Sequence, residues 1–190
     1  MEDFDNDIRL AVECLRKGGV ILYPTDTVWG LGCDASQESA VRKIFEIKRR
    51  AESKALISLV ADMAMLERYV DDAPEVAFSI AELADRPTTI IYDRPRGLAP
   101  SLLAADGSAG IRVTSERYSR ELCRRLGRAI VSTSANVSGS PAPAFFAEIA
   151  PEITEAADYV AEYRRNDRTP HTPSTVIKIQ NDSSFQIIRK

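Results

Sequence analysis

Residues 20–23 form an unbroken apolar run, Val20-Ile21-Leu22-Tyr23, between Gly18-Gly19 and Pro24. Four large apolar side chains in succession leave neither face of a strand for water. The segment therefore belongs inside a sheet covered on both faces. Pro24 cannot donate to a ladder, so the strand ends there. Thr25, Asp26 and Thr27 come directly after it, then the sole tryptophan, Trp29, and the glycines Gly30 and Gly32. Polar groups at the end of a buried strand, with glycines that let the backbone approach a ligand, are how α/β folds build sites. An Asx/ST turn leading into the next helix accounts for the same residues equally well.

The rest of the chain alternates between helical and strand patterning. A first helix, capped by Asp5 or Asn6, turns Ile8, Ala11, Val12 and Leu15 inward and stops at Gly18-Gly19. A second, capped by Ser36, carries Val41, Ile44 and Phe45 and ends in Lys48-Arg49-Arg50. Further helices are predicted over residues 62–69, over 74–84 with Val76, Ile80 and Leu83 inward, from Ser115 to Leu126, and from near Ala144. Strands are predicted over residues 56–60, 88–92, 110–114, 129–132 and 158–161, with residues 133–143 as loop. Residues 174–180 and 185–189 read as a hairpin closed through 181–184. Strands alternating with helices early and pairing antiparallel late predict an α/β fold, an open twisted mixed sheet flanked by helices. At 190 residues the chain has room for one full core, so a single domain over 1–190 is expected.

A net charge of −3 argues against a protein whose main task is holding a phosphate backbone. Cys14, Cys33 and Cys123 form neither a CxxC pair nor a zinc pattern, which fits reduced thiols in a cytoplasmic protein. The acidic N-terminus is unlike a signal or transit peptide, and no apolar run approaches the roughly 20 residues that span a bilayer.

Several motifs bear on chemistry. Gly30-Leu31-Gly32-Cys33-Asp34-Ala35 fits a dinucleotide fingerprint only loosely, because five residues separate it from the strand, and no Walker A sequence occurs. Lys48, Arg49, Arg50 and Lys54 suit a polyphosphate, although cations at a helix C-terminus are favourable through the macrodipole alone. Residues 132–139, Ser-Thr-Ser-Ala-Asn-Val-Ser-Gly, hold more donors and acceptors than a turn needs and favour a ligand loop. Arg112, in mid-strand, must meet a carboxylate of the protein or of a ligand. Arg117, Arg120, Arg124, Arg125 and Arg128 read as a solvated helix face paired with Glu116 and Glu121, and the lone histidine, His171, as a loop residue without a chemical role.

Together, residues 24–32 (Pro-Thr-Asp-Thr-Val-Trp-Gly-Leu-Gly), 48–50, 110–113, 132–139 and 174–177 resemble, in order, the motifs of the YrdC/TsaC family, the threonylcarbamoyl-AMP synthases. The resemblance implies an open twisted α/β sheet with a concave basic surface. It implies formation of L-threonylcarbamoyl-AMP and pyrophosphate from L-threonine, bicarbonate and ATP, with Mg2+ accompanying the nucleotide. The product would feed a downstream t6A transfer machinery acting on tRNA, with no membrane partner. It further implies threonine binding by Thr27, Arg112, Ser174 and Thr175, and ATP binding by Lys48, Arg50, Lys54, Ser134, Asn136 and Arg189. No catalytic nucleophile and no protein metal site are implied. The chain departs from the family pattern at Lys48-Arg49-Arg50-Ala51, at Lys54-Ala55-Leu56, at Asp85-Arg86-Pro87-Thr88-Thr89 in place of a Pro-Gly-Pro element, and at Trp29 in place of tyrosine. The alternative expectation is a YrdC-like module that binds double-stranded RNA or tRNA without adenylation.

Overall fold

The computed structural model describes residues 2–50, 56–70, 73–169, 171–180 and 184–189. Helix α1 (Glu2–Arg16) is followed by β1 (Ile21–Tyr23), β2 (Gly30–Gly32), α2 (Glu38–Ile47), β3 (Ile57–Val60), α3 (Met63–Glu67) and α4 (Glu75–Leu83). The second half contains β4 (Thr88–Tyr92), β5 (Ala109–Val113), α5 (Arg117–Leu126), β6 (Ile130–Ser134), α6 (Pro151–Ala156), β7 (Tyr159–Val160), β8 (Thr175–Ile179) and β9 (Phe185–Arg189). The nine strands among the described residues form one mixed sheet in the order β7-β1-β2-β6-β3-β5-β4-β8-β9. β1 pairs parallel with β7, β3 with β5 and β4 with β8, whereas β1–β2, β2–β6, β3–β6, β4–β5 and β8–β9 are antiparallel.

The buried run behaves as its composition dictates: Val20, Ile21, Leu22 and Tyr23 are fully enclosed. The glycine segment departs from expectation. Gly30-Leu31-Gly32 is a strand that hairpins onto β1, with Tyr23 opposite Gly30 and Ile21 opposite Gly32. Gly32 admits protein, whereas Gly30 lines a cleft over the sheet. A Cβ on Gly32 would lie 2.6 Å from both the Tyr23 ring and the Val131 carbonyl oxygen. Ser132, Thr133 and Ser134, expected at the edge of a loop, are ladder residues of β6.

Helix boundaries move where a capping side chain is used elsewhere. α1 starts at Glu2, so Asp5 and Asn6 lie inside the helix, where Asp5 accepts from Arg125 and Asn6 from Arg9. Ser36 is drawn into a turn around Asp34, so α2 begins after Gln37 with no side-chain cap. Glu116, one residue beyond Ser115, caps α5 through its bond from the Ser119 N–H, 2.8 Å. In α4 Ala77 is buried and Ile80, as expected, packs partly buried against the core, while Val76 and Leu83 are exposed. A helix near Ala144 is replaced by a 3-10 turn at Phe146–Glu148 and then α6. The expected closure of the β8–β9 hairpin falls on residues 181–183, outside the described residues.

Register places Gly30, Ser132, Ser134, Ile57, Gly110 and Arg112 on one face of the central strands, because paired residues share a face and alternate residues return to it. Two glycines and two serines on that face leave a hollow, and an open cleft lies over it.

Candidate functional site

The turn after β1 organises itself from its own side chains. Thr25 Oγ1 donates to the Val28 carbonyl at 2.7 Å and accepts from the Thr27 N–H at 3.1 Å. Its distance to Thr27 Oγ1 is 3.0 Å. With the only Thr25 hydroxyl proton committed to Val28, the Thr27 hydroxyl is the donor between the two. Thr27 Oγ1 therefore keeps its lone pairs for another partner. The turn reading and the site reading hold together, because Thr27 also lines the cleft.

Asp26, between the threonines, answers the question posed by Arg112. The Arg112 Nη2 donates to Asp26 Oδ1 at 2.7 Å, with the two side chains 2% and 6% exposed. Among the described residues the guanidinium fork makes this one hydrogen bond. Arg112 Nε and Asp26 Oδ2 are buried without a hydrogen-bond partner among the described residues. Trp29 is core, packed against Phe146 with ring centroids 4.8 Å apart.

The cation cluster divides three ways. α2 ends at Ile47, and a left-handed Arg49 (φ +48°) reverses the chain. Lys48 turns inward and is 1% exposed; its ammonium donates to the Ser134 carbonyl and to the Asn136 carbonyl, 2.6 Å. Arg49 points out to Glu152 at 3.2 Å. Arg50 lines the cleft. Lys54 lies outside the described residues.

The loop that Lys48 holds is closed further by Asn136. Its Oδ1 accepts from Ser134 Oγ at 2.5 Å, and its Nδ2 donates to the carbonyls of Ser140, 2.6 Å, and Val137, 3.0 Å. Burial, with Arg50 nearby, lowers the Lys48 pKa from 10.5 to about 8. Between these values the unfolded chain binds the extra proton, so this group makes stability rise with pH across the window. Below about 8 both states are charged and the cost of burying the ammonium is present in full. From about pH 7 to about pH 10, urea-unfolding free energies should move in favour of the wild type, relative to Lys48→Met, by roughly 1–3 kcal/mol. A pH-independent difference would contradict this account of Lys48.

One open cleft of about 280 Å³ gathers Thr27, Arg50, Arg112, Ser132, Ser134, Ser174 and Arg189. Ser174, 2% exposed, lies 3.0 Å from Thr89 Oγ1. Arg189 clamps it, donating from Nη2 to Ser174 Oγ and from Nε to the Ser174 carbonyl, both at 3.1 Å. Of the residues anticipated from sequence, Thr27, Arg50, Arg112, Ser134, Ser174 and Arg189 therefore meet in one place. Lys48 and Asn136 stand behind the lining as supports, and Thr175 sits in the β8 ladder with its N–H on the Pro87 carbonyl, 3.0 Å. Sequence reasoning missed Asp26 as the partner of Arg112, and it placed Ser132 in the hydroxyl-rich ligand segment without assigning it a substrate. The demand of a buried arginine for a carboxylate was the signal for the first.

None of the described lining residues is a carboxylate, and the described residues contain no group of three or more His, Cys, Asp or Glu placed to hold a metal. Three guanidinium groups, hydroxyls and backbone suit an anion with its own hydroxyl or amine groups. The arginines of α5, and Arg128 just after it, are largely committed elsewhere: Arg124 to Asp62 and Glu121, Arg125 to Asp5 and Glu121, Arg128 to Asp34, and Arg117 over the Phe4 ring. No helix among the described residues is long and apolar enough to cross a membrane.

Residues 13–190 match the Sua5/YciO/YrdC family model, described as telomere recombination. The threonylcarbamoyl-AMP synthase of Idiomarina loihiensis is 34% identical over 173 residues, covering 90% of this chain and 92% of the relative. The structure of E. coli YciO superposes with a TM-score of 0.82 at 28% identity, covering 96% of this chain and 88% of YciO. P. abyssi Sua5 complexed with L-threonine superposes with a TM-score of 0.80 at 28% identity over 90% of this chain, which spans 50% of the Sua5 chain.

Proposed function

The chain belongs to the Sua5/YciO/YrdC family, and from that premise we propose that it is an L-threonylcarbamoyladenylate synthase. It joins L-threonine, bicarbonate and ATP into threonylcarbamoyl-AMP with release of pyrophosphate, in the cytoplasm, for t6A modification of tRNA. Residues 1–190 act as one YrdC-like domain in this reading.

The observation that carries it is the convergence of Arg50, Arg112 and Arg189 with the hydroxyls of Thr27, Ser134 and Ser174 in one cleft, supplied by separate segments of the chain. Thr27, Arg112 and Ser174 form the amino-acid end, with Thr175 behind Ser174. Arg50, Ser134 and Arg189 face the nucleotide, with Lys48 and Asn136 holding the Ser134 loop and Lys54 as a further phosphate contact. Bicarbonate dehydrates to CO2 and hydroxide; the threonine amine, having released its ammonium proton to solvent, forms the N–C bond to CO2 and loses a second N–H proton to that hydroxide, leaving the carbamate. A carbamate oxygen then attacks the α-phosphorus, forming the P–O bond as the bond to pyrophosphate breaks. No protein nucleophile is required. Positioning, neutralisation of phosphate charge by the guanidinium groups and exclusion of water from a labile carbamate carry the rate. Mg2+ fits this donor set as an ion carried by the phosphates rather than by protein carboxylates. When bound it neutralises phosphate charge.

Incubation with ATP, labelled bicarbonate and threonine should yield pyrophosphate and a threonine-dependent labelled adenylate. Folded protein that gives no product above a control lacking threonine would overturn the assignment.

A further inference from the structure

Arg164 does not line the cleft of Arg50, Arg112 and Arg189, yet it reaches three other parts of the chain. Its backbone is left-handed (φ +63°), a conformation that favours glycine. The two residues before it are fixed from α1. Asp7, 4% exposed, accepts from the N–H groups of Glu162, 3.0 Å, and Tyr163, 2.9 Å, and from the Tyr159 hydroxyl, 2.5 Å. From this platform the guanidinium donates through Nε to Asp167 Oδ2 at 2.8 Å and through Nη1 to the Thr25 carbonyl at 3.2 Å. Glu116 Oε1 is 3.6 Å from Nη1. Nη2 lies 2.7 Å from His171 Nε2. Arginine has only donors, so the imidazole accepts at Nε2 and carries its proton on Nδ1. The lone histidine thus has a structural task that its sequence context does not disclose.

Thr25 is the residue whose hydroxyl directs the Thr27 hydroxyl. Pro24 precedes it, so the chain entering the turn offers no N–H to anchor it. Arg112 holds the turn at Asp26 from the sheet side, and Arg164 holds it at the Thr25 carbonyl from the other. We propose that Arg164, oriented by Asp167 and His171, is a positioning residue for the amino-acid end of the cleft: it fixes the Thr25 carbonyl so that Thr27 presents its lone pairs to the substrate. The amino-acid substrate in this statement rests on the proposed synthase function, whereas the positioning of the turn does not.

Arg164→Gly is the variant of choice, because glycine accepts the left-handed backbone and removes only the side chain. The variant should raise the KM for threonine about tenfold, the scale of one charge-assisted hydrogen bond, while the KM for ATP and kcat at saturating threonine stay near wild type. Without any substrate, amide exchange in residues 25–29 should speed up at least about tenfold while exchange in β3 and β5 is unchanged. His171→Ala should move both readouts in the same direction by a smaller factor, and it serves if Arg164→Gly fails to fold. Equal rises in both KM values, or unchanged exchange in residues 25–29, would overturn the proposal. Should the wild type make no adenylate, the proposed function fails, and the exchange measurement alone decides the role of Arg164.

Discussion

Arg112→Ala should lower the unfolding free energy by about 3–5 kcal/mol in urea titrations and abolish adenylate formation, because it leaves the Asp26 carboxylate buried without its counter-ion. The pair is 2% and 6% exposed, so solvent can do little to relieve the stranded charge. Its location makes the cost global. Arg112 lies in the middle of β5, which bonds to β3 on one side and β4 on the other. Replacing both partners by apolar residues, Arg112→Met with Asp26→Leu, should return most of the stability, since exchanging a whole buried pair is often neutral. Activity should stay absent, because the cleft would have lost a guanidinium. A single-variant loss below about 1 kcal/mol would mean that the pair is dispensable and that Asp26 finds other solvation.

Arg50→Ala and Thr27→Ala should divide the two substrates between them. Removing Arg50 takes from the cleft lining a cation whose charge is disfavoured by burial and would be favoured by an anionic ligand. The expected result is a fall of about 100-fold in kcat/KM for ATP with threonine affinity changed by less than about threefold. Thr27→Ala removes a neutral acceptor, so threonine affinity should fall by about 10-fold and ATP use much less. Initial-rate kinetics with each substrate varied in turn supply both numbers. Equal losses for both substrates in both variants would undo this partition of the cleft.

Much of the architecture was legible because strong local signals agreed with the tertiary outcome. The apolar runs of β1 and β3, and the β-branched, aromatic pattern of β4, admit few alternatives. β2 was not legible, since two of its three residues are glycines and its strand state comes from β1 and β6 on either side. For the same reason Thr133 and Ser134 looked like a loop: their hydroxyls signal a ligand, while their backbone is held by pairing that no local pattern encodes.

The site residues were recognisable as types, but not in their allegiance. Lys48 and Arg50 sit two positions apart in one basic stretch, and only the chain reversal at Arg49 sends one to loop carbonyls and the other to the cleft. Asp26 and Arg112 are 86 residues apart, and their meeting depends on how β1 and β5 are placed in the sheet.

In the proposed reaction a single cleft holds a nucleotide's phosphates and a small hydroxy amino acid side by side. A crystal structure of the protein soaked with L-threonine and a non-hydrolysable ATP analogue tests it most directly. The expected density places the amino acid against Thr27, Arg112 and Ser174 and the phosphates against Arg50 and Arg189, within one continuous cavity. The two compounds lodged in separate places, or solvent alone over these side chains, would contradict it.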